Sequence, residues 1–528
     1  FWNEFASRFN FIAVDYLIYT NEVIGNIRES YNLPLLLSCA SAVTLLIWWP
    51  ASAALRRMIQ ADASHSAPRR HWLHLFGWLL APVLAWGAMD ARYKEFSDNA
   101  QINELAGNGY FDFFHAFWTN EIDYDRFYKT LPRDKALATL AGQLNPGGKL
   151  APGQRAFERD VKSAGPEKKL NVVLISVESF SAEFMGTFGN TRGLTPKLDQ
   201  LAKEGMLFTH LYATGTRTVR GLEALSLSVP PTPGHSIVKR PNNSHLFSMG
   251  SVLNDKGYES IYLYGGYGYF DNMNAFYSGN DYTVVDRTAL KPEEIHFENI
   301  WGVADEDLFT LSLRELDARQ QKGKPFFAHI MTTTNHRPFT YPEGRIDIPS
   351  KSGRDGGVKY TDFAIGQFIE KARQHPWFDD TVFVIIADHT HNGRGKQELP
   401  IANYHIPMII YAPKHVAPSR VDTITSQIDV APTLLGMLNM SYRSRFFGHD
   451  VLHEGAQQPR ALMANYQTVG YYENGIMVEL KPNARYRLVD AATGKQRPMD
   501  AQGQVLLERA ISYYQVASEA YQRGELQR

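Results

Sequence analysis

Asn171-Val-Val-Leu-Ile-Ser-Val177, followed at once by Glu178-Ser179, is the stretch that decides the fold. Its apolar, largely β-branched residues fall on both parities, so neither face of the strand is fit for water. Such a strand belongs in the middle of a sheet covered on both sides. Similar runs occur at 260–264, 325–331, 381–387 and 406–411, and helix-period segments intervene at 195–204, 246–256, 305–320 and 361–375. Strand alternating with helix implies an α/β domain: a mostly parallel sheet sandwiched by helices. The tail departs from this pattern. Residues 465–489 read as short antiparallel strands and 504–523 as a helix that closes the domain.

Toward the N-terminus the chemistry changes. Residues 33–55 carry no charge over a length that can cross a hydrocarbon core of about 30 Å, and 72–89 are a shorter uncharged candidate. Trp48, Trp49, Trp72, Trp78 and Trp86 include plausible interface anchors. The loop between the two holds Arg56, Arg57, Arg69 and Arg70 against Asp62, which predicts a cytoplasmic loop and an extracytoplasmic remainder. Residues 9–27 mix apolar side chains with Asp15, Asn21 and Glu22, and read as an interfacial amphipathic helix or the outer end of an earlier span. Beginning at Phe1, the chain reads as truncated or processed. The expected organisation is a membrane region at 1–95 (an interfacial helix and two transmembrane helices), a linker with connector helices at 96–168, a catalytic domain at 169–460, and a completing tail at 461–528. Pro-Gly-Gly at 146–148 and the charges that follow are the linker's signature.

Composition narrows the function. With 54 basic and 55 acidic residues in 528, no global positive field exists to hold nucleic acid. The single cysteine, Cys39, excludes an intrachain disulfide and a cysteine metal cluster.

In open α/β sheets ligands gather at the carboxyl ends of the strands. Polar groups stand at those ends here: Glu178-Ser179, then Thr332-Thr-Thr-Asn335-His336, then Asp388-His389-Thr390-His391. Alone, each has a structural reading: Glu178 as a helix cap, Asp388-His389 as a turn, His336 as a satisfied core histidine. Together they form a set of oxygen and nitrogen donors without thiolate, which suits Mn²⁺, Zn²⁺ or Mg²⁺. Thr216-Arg-Thr218-Val-Arg220-Gly-Leu-Glu223 precedes an apolar helical stretch. A threonine at a helix start is by default a cap. The same position receives phosphate on free backbone N–H groups, and Arg217 and Arg220 add positive charge there. A threonine hydroxyl is a weak nucleophile unless a metal lowers its pKa.

The order Val177-Glu178-Ser179, Arg217-Thr218, Asn335-His336-Arg337-Pro338-Phe339 and Ala387-Asp388-His389 resembles the lipoteichoic acid synthase branch of the alkaline phosphatase and sulfatase superfamily. Leu194-Thr-Pro-Lys-Leu-Asp199, Trp301-Gly-Val-Ala-Asp-Glu-Asp307 and Ser426-Gln-Ile-Asp-Val-Ala-Pro-Thr433 support the likeness, which covers roughly 170–455. The resemblance implies an alkaline phosphatase-like fold and one divalent metal, commonly Mn²⁺, on Glu178, Thr218, Asp388 and His389. It also implies a covalently substituted Thr218, and a His336 that meets the phosphate oxygens or the leaving group. The polymer-forming enzymes carry a histidine where this chain has Tyr264-Gly265-Gly266, and Phe-Trp-Asn-Arg where it has Phe270-Asp271-Asn272-Met273. The headgroup site is therefore altered. Tyr264, Arg220 and Asp271 are the expected substrate-binding residues, with Asp271 suited to an amine or a polyol hydroxyl.

The expected activity is transfer of phosphoglycerol from a membrane phospholipid such as phosphatidylglycerol to an acceptor hydroxyl, for example on a glycan. It would take place on the periplasmic or extracellular side of a bacterial cytoplasmic membrane. Phosphoethanolamine transfer keeps the chemistry, but that branch usually carries disulfides. Sulfatase action needs a Cys/Ser-x-Pro-x-Arg setting that Thr218-Val-Arg220 does not provide. Phosphodiester hydrolysis and simple ligand binding by an inactive fold are the remaining alternatives.

Overall fold

The computed structural model describes residues 2, 7–62, 68–89, 91–97, 99–118, 123–145, 155–392, 395–453, 459–465 and 467–528. The Pro-Gly-Gly linker signature at 146–148 and the centre of the arginine-flanked loop, 63–67, lie outside these. The chain divides into two units, Ser7–Phe117 and Trp118–Arg528.

The first unit is helical: α1 (Phe11–Ile18), α2 (Thr20–Ser30), α3 (Leu33–Asp62), α4 (Pro68–Ala88), α5 (Ala100–Ala106) and α6 (Gly109–Trp118). Helix α3 begins where the Asn32 side chain accepts the Leu35 amide at 3.2 Å. Pro34 falls in the first turn, where its missing N–H costs nothing. Among the described residues α3 is the one helix long and apolar enough to cross a bilayer, over the 28 residues Leu33–Gln60. The second expected span is helical as α4, but its apolar stretch is the shorter His74–Ala85.

After a helical turn at Tyr124–Phe127, the main elements of the second unit are α7 (Arg133–Leu144), β1 (Asn171–Val177), α8 (Pro196–Glu204), β2 (Met206–Tyr212), α9 (Thr218–Leu227), β3 (Glu259–Tyr264), β4 (Thr283–Val285), α10 (Asp305–Gln320), β5 (Phe326–Met331), α11 (Arg354–Ala372), β6 (Thr381–Ala387), β7 (His405–Tyr411) and β8 (Ser419–Val421). The sheet order is β8-β2-β7-β6-β1-β5-β3-β4. Every residue of β1, β5 and β6 is buried, as the doubly apolar runs require. Strand β7 runs antiparallel to both neighbours, and the other pairings on this path are parallel. A mostly parallel, helix-covered sheet is thus the architecture.

Strand β1 sits between β6 and β5, and register does the rest. Val177 pairs with Ala387 and Ser176 with Met331, so the residues that follow, Glu178, Asp388 and Thr332, emerge side by side at one edge. A second sheet of four antiparallel strands, β9 (Ala461–Asn465), β10 (Thr468–Glu473), β11 (Ile476–Lys481) and β12 (Arg485–Asp490), precedes the closing helix α12 (Ala501–Gln522). Strand β2 and the start of α11 are among the features that differ from the sequence reading. Strand β2 is not legible in the sequence, because His210 and Thr209 interrupt its apolar run. Helix α11 starts at Arg354, before the expected 361, because Gly353 at φ +108° turns the chain into it.

Part of the stretch read as linker packs onto this body. Helix α7 lies along α12, with Leu131 N–H donating to Gln515 at 2.9 Å and Arg133 bonded to Glu519 at 3.0 Å. Residues Arg159–Val161 pair antiparallel with Tyr442–Ser444.

Candidate metal and nucleophile site

The edge formed by β1 and β6 brings three donors together. The ligand atoms of Glu178, Asp388 and His389 all lie within 4.8 Å of one another, and all three residues are buried. His389 Nε2 is 3.8 Å from Glu178 Oε1 and 3.5 Å from Asp388 Oδ2. Its Nδ1 lies 2.7 Å from the Thr390 carbonyl, so the ring proton belongs there and the Nε2 lone pair faces the carboxylates. Asp388 Oδ1 accepts backbone amides from Ser179 at 2.8 Å and His389 at 2.6 Å. Its other oxygen, Oδ2, is buried without a hydrogen-bond partner.

Thr218 completes the group as the first residue of α9, with its Oγ1 donating to Glu178 Oε2 at 3.2 Å. The helix reaches this close because residue 221 is glycine. A Cβ there would collide with the Asp388 carbonyl. Gln427 secures the same carbonyl from the other side at 2.8 Å, and its Oε1 accepts the Thr214 amide at 3.1 Å. Ser179 takes a left-handed backbone, φ +48°, which costs about 1–2 kcal/mol for a non-glycine residue. That conformation aims its N–H at Asp388 and its hydroxyl at Glu178, 2.6 Å away.

The electrostatics call for a cation. Burial and the neighbouring Glu178 charge push the Asp388 carboxyl well above the usual carboxylate range. Burial also raises Glu178, but His389, His336 and the Ser179 hydroxyl outweigh it and the net direction is downward. Burial holds His389 down to about 4, a neutral ligand at physiological pH. An acidic pair, a neutral imidazole and an orphaned carboxylate oxygen fit a divalent metal of oxygen and nitrogen preference.

The remaining expected residues divide. His336 lies beside the group: its ring is tilted against that of Trp301 with centroids 4.2 Å apart, its Nδ1 is 3.0 Å from the Arg337 carbonyl, and it helps to lower the Glu178 carboxyl. Tyr264 is buried at the end of β3, under Gly266, whose added Cβ would stand 2.7 Å from the tyrosine ring. Asp271 pairs with Lys239 at 3.4 Å. Arg220 is turned away from the group. Its guanidinium is buried against Glu223 at 3.1 Å and the carbonyls of Thr232 (2.7 Å) and Gly234, and its charge is felt by Tyr128 and Tyr514. Two residues along a helix is a turn of about 200°, so Thr218 and Arg220 face opposite ways. The cations acting on His389 are Arg217 and Arg354. Arg354, missed in the sequence, opens α11 and donates to the Asn335 carbonyl at 3.2 Å, while Asn335 Nδ2 holds the Glu178 carbonyl at 2.9 Å. Only the tertiary fold brings it here. Gly221 carries a signal of its own, since a glycine within a helical stretch costs about 1 kcal/mol relative to alanine and calls for a packing reason.

A family model described as Sulfatase matches residues 170–440, half of the chain, and the chain belongs to that family. A crystal structure of a protein in the alkaline phosphatase superfamily from Vibrio parahaemolyticus is similar over 77% of this chain and all of that one, at 32% identity and a TM-score of 0.71. A lipoteichoic acid synthase structure from Listeria monocytogenes shares the fold, with a TM-score of 0.59 at 20% identity over 73% of this chain and 98% of that one. Among curated proteins, Lipoteichoic acid synthase 1 of Bacillus subtilis is 28% identical over 51% of this chain and 46% of its own length. Phosphoglycerol transferase I of Escherichia coli O6:H1 is 26% identical over 71% of this chain and 44% of its own length. The chain spans about half the length of the curated relatives it matches.

Proposed function

We propose that this protein is a membrane-anchored phosphoglycerol transferase that works through a covalent threonine. The observation that carries the reading is the Thr218 hydroxyl, 3.2 Å from Glu178, at the mouth of the Glu178–Asp388–His389 cluster. Names of two kinds among the relatives, lipoteichoic acid synthase and phosphoglycerol transferase, support the headgroup. Glu178, Asp388, His389 and the Thr218 oxygen would hold one divalent cation, Mn²⁺ ahead of Mg²⁺ or Zn²⁺, supplying positive charge for the phosphoryl oxygens and acidity for the hydroxyl.

The donor is a membrane phospholipid, phosphatidylglycerol foremost. Thr218 Oγ1 passes its proton to Glu178 and attacks phosphorus. The threonine–phosphorus bond forms as the bond to the diacylglycerol oxygen breaks, and His336 protonates that oxygen. An acceptor hydroxyl, on a glycan or another polyol, then attacks the same phosphorus and gives its proton to His336. Thr218 leaves and takes its own proton back. Arg217 and Arg354 add fixed positive charge around the phosphoryl group. The Lys239 partner of Asp271 offsets the carboxylate charge that an amine headgroup would need, which favours phosphoglycerol over phosphoethanolamine. The arginines of the 56–70 loop support a reading in which the body works on the outer face of the cytoplasmic membrane.

Mass spectrometry after incubation with mixed phospholipids tests this directly. A phosphoglycerol adduct on Thr218 is expected; chelation should abolish it, Mn²⁺ should restore it, and Thr218→Ala should lack it while staying folded. Lipid turnover unchanged in Thr218→Ala would remove the nucleophile from the scheme.

A further inference from the structure

Helix α6 has the sequence GYFDFFHAFW. Tyr110, Phe114 and Phe117 stand out to solvent, exposed to 78%, 45% and 54%. Their i, i+4, i+7 spacing confines them to about 60° of the helix surface. Residues 111–113 and 115–116, which fill the rest of the wheel, are half-buried. In the same unit Ile102 and Leu105 of α5 and Tyr93 and Phe96 ahead of it are also exposed. The polar groups of this region are matched among themselves. Lys94 Nζ lies 3.4 Å from Glu104 and 3.3 Å from Asp112. The Arg8 amide donates to Glu104 at 3.1 Å and its guanidinium to the Leu105 carbonyl at 2.9 Å.

We propose that α5, α6 and the 93–96 turn lie in the headgroup layer of a bilayer, with this aromatic stripe toward the acyl chains. Three features choose a lipid surface as the occupant. The stripe belongs to the same unit as α3, the apolar helix long enough to span. Tyrosine and phenylalanine with flanking aliphatics are the side chains that partition to that depth. Lys94 is answered by two carboxylates, so the contact is apolar and does not depend on anionic lipid. The segment just after the span is in this reading a second membrane contact, independent of the catalytic assignment.

Because Cys39 is the single cysteine, a Cys39→Ala chain accepts one reporter at a time. Phe114→Cys and, as a second position on the same face, Tyr110→Cys would carry an environment-sensitive fluorophore in the full chain reconstituted in nanodiscs. Gln101→Cys, an exposed position about 100° around the α5 axis from residue 102, is the control. The expected result is blue-shifted emission at 110 and 114, quenched most by lipids brominated near the headgroup, equal in zwitterionic and anionic discs, with a water-like signal at 101. Water-like, unquenched emission at 110 and 114 overturns the proposal. So does a signal that depends on the number of chains per disc rather than on brominated lipid, which would make a second copy the occupant.

Discussion

Gly221 shows how much of the site rests on one missing methyl. The Thr218 helix abuts the Asp388 carbonyl, so the proposed nucleophile and the strand end proposed to hold the metal are kept at a spacing that only hydrogen at Cα permits. Gly221→Ala is predicted to displace Thr218 by a fraction of an ångström to an ångström, and to slow adduct formation by about 10²-fold. Adduct kinetics read alongside a thermal midpoint check this; a variant with wild-type kinetics would show that the close approach is dispensable. Asp362 makes a different residue-scale prediction. It accepts the Lys197 and Leu198 amides at 3.1 and 2.7 Å, and burial raises its carboxyl to about 7. The unfolded carboxyl titrates near about 3.9. Between those values the folded chain binds more protons than the unfolded one, so this group's contribution to stability falls as pH rises from about 4 to 7. Asp362→Asn should flatten that part of the curve, as denaturant midpoints at several pH values would register; an unchanged slope would assign it to other groups.

At the scale of elements, α7 is the informative case. Its sequence, RDKALATLAGQL, has a weak apolar face and lies in a stretch whose flanks are polar and glycine-rich, so local pattern gave no reason to attach it to the body. Tertiary contact supplies the reason: Ala136, Leu140 and Leu144 are buried, and α7 runs along α12. Leu140→Ala is predicted to destabilise the body by about 2–5 kcal/mol, the cost of a cavity at a fully buried leucine. Urea melts would measure it, and a loss below about 0.5 kcal/mol would mean that α7 is loosely held. The central strands are the opposite case. β1, β5 and β6 were legible from composition alone because burial on both faces leaves no place for a polar side chain. β2 was not, since Thr209 and His210 break the run, and its pairing with the reversed β7 is a long-range fact.

On the scale of the whole molecule, the second unit contains α7, the large sheet, the antiparallel sheet and α12, with its own core. A chain starting at residue 123 is predicted to fold in one cooperative thermal transition and to accept the Thr218 adduct from a short-chain, water-soluble phospholipid. Calorimetry and mass spectrometry on that fragment decide it; aggregation or several transitions would show that the first unit is needed for folding. Buried pairs such as Asp429, within the Ser426–Thr433 motif, with Arg460 just ahead of β9, bonded at 2.7 and 2.9 Å, link the two sheets within this unit. Cutting one partner of such a pair leaves a buried charge uncompensated.

By itself the sequence determined the alternation of strand and helix, the apolar segment before it, and which polar residues end up at strand ends, because these follow from periodicity and from the intolerance of a covered sheet or a bilayer for charge. Register then made Glu178 and Asp388 neighbours, which the order of strands predicts only once the pairing is known. What the tertiary structure alone decided is the direction in which side chains near the site point: Arg220 away into a buried ion pair, Arg354 in from a helix more than a hundred residues after Glu178 and Thr218, Asp271 onto Lys239. Those outcomes depend on which groups meet across the fold, and contact between distant residues leaves no trace in local pattern.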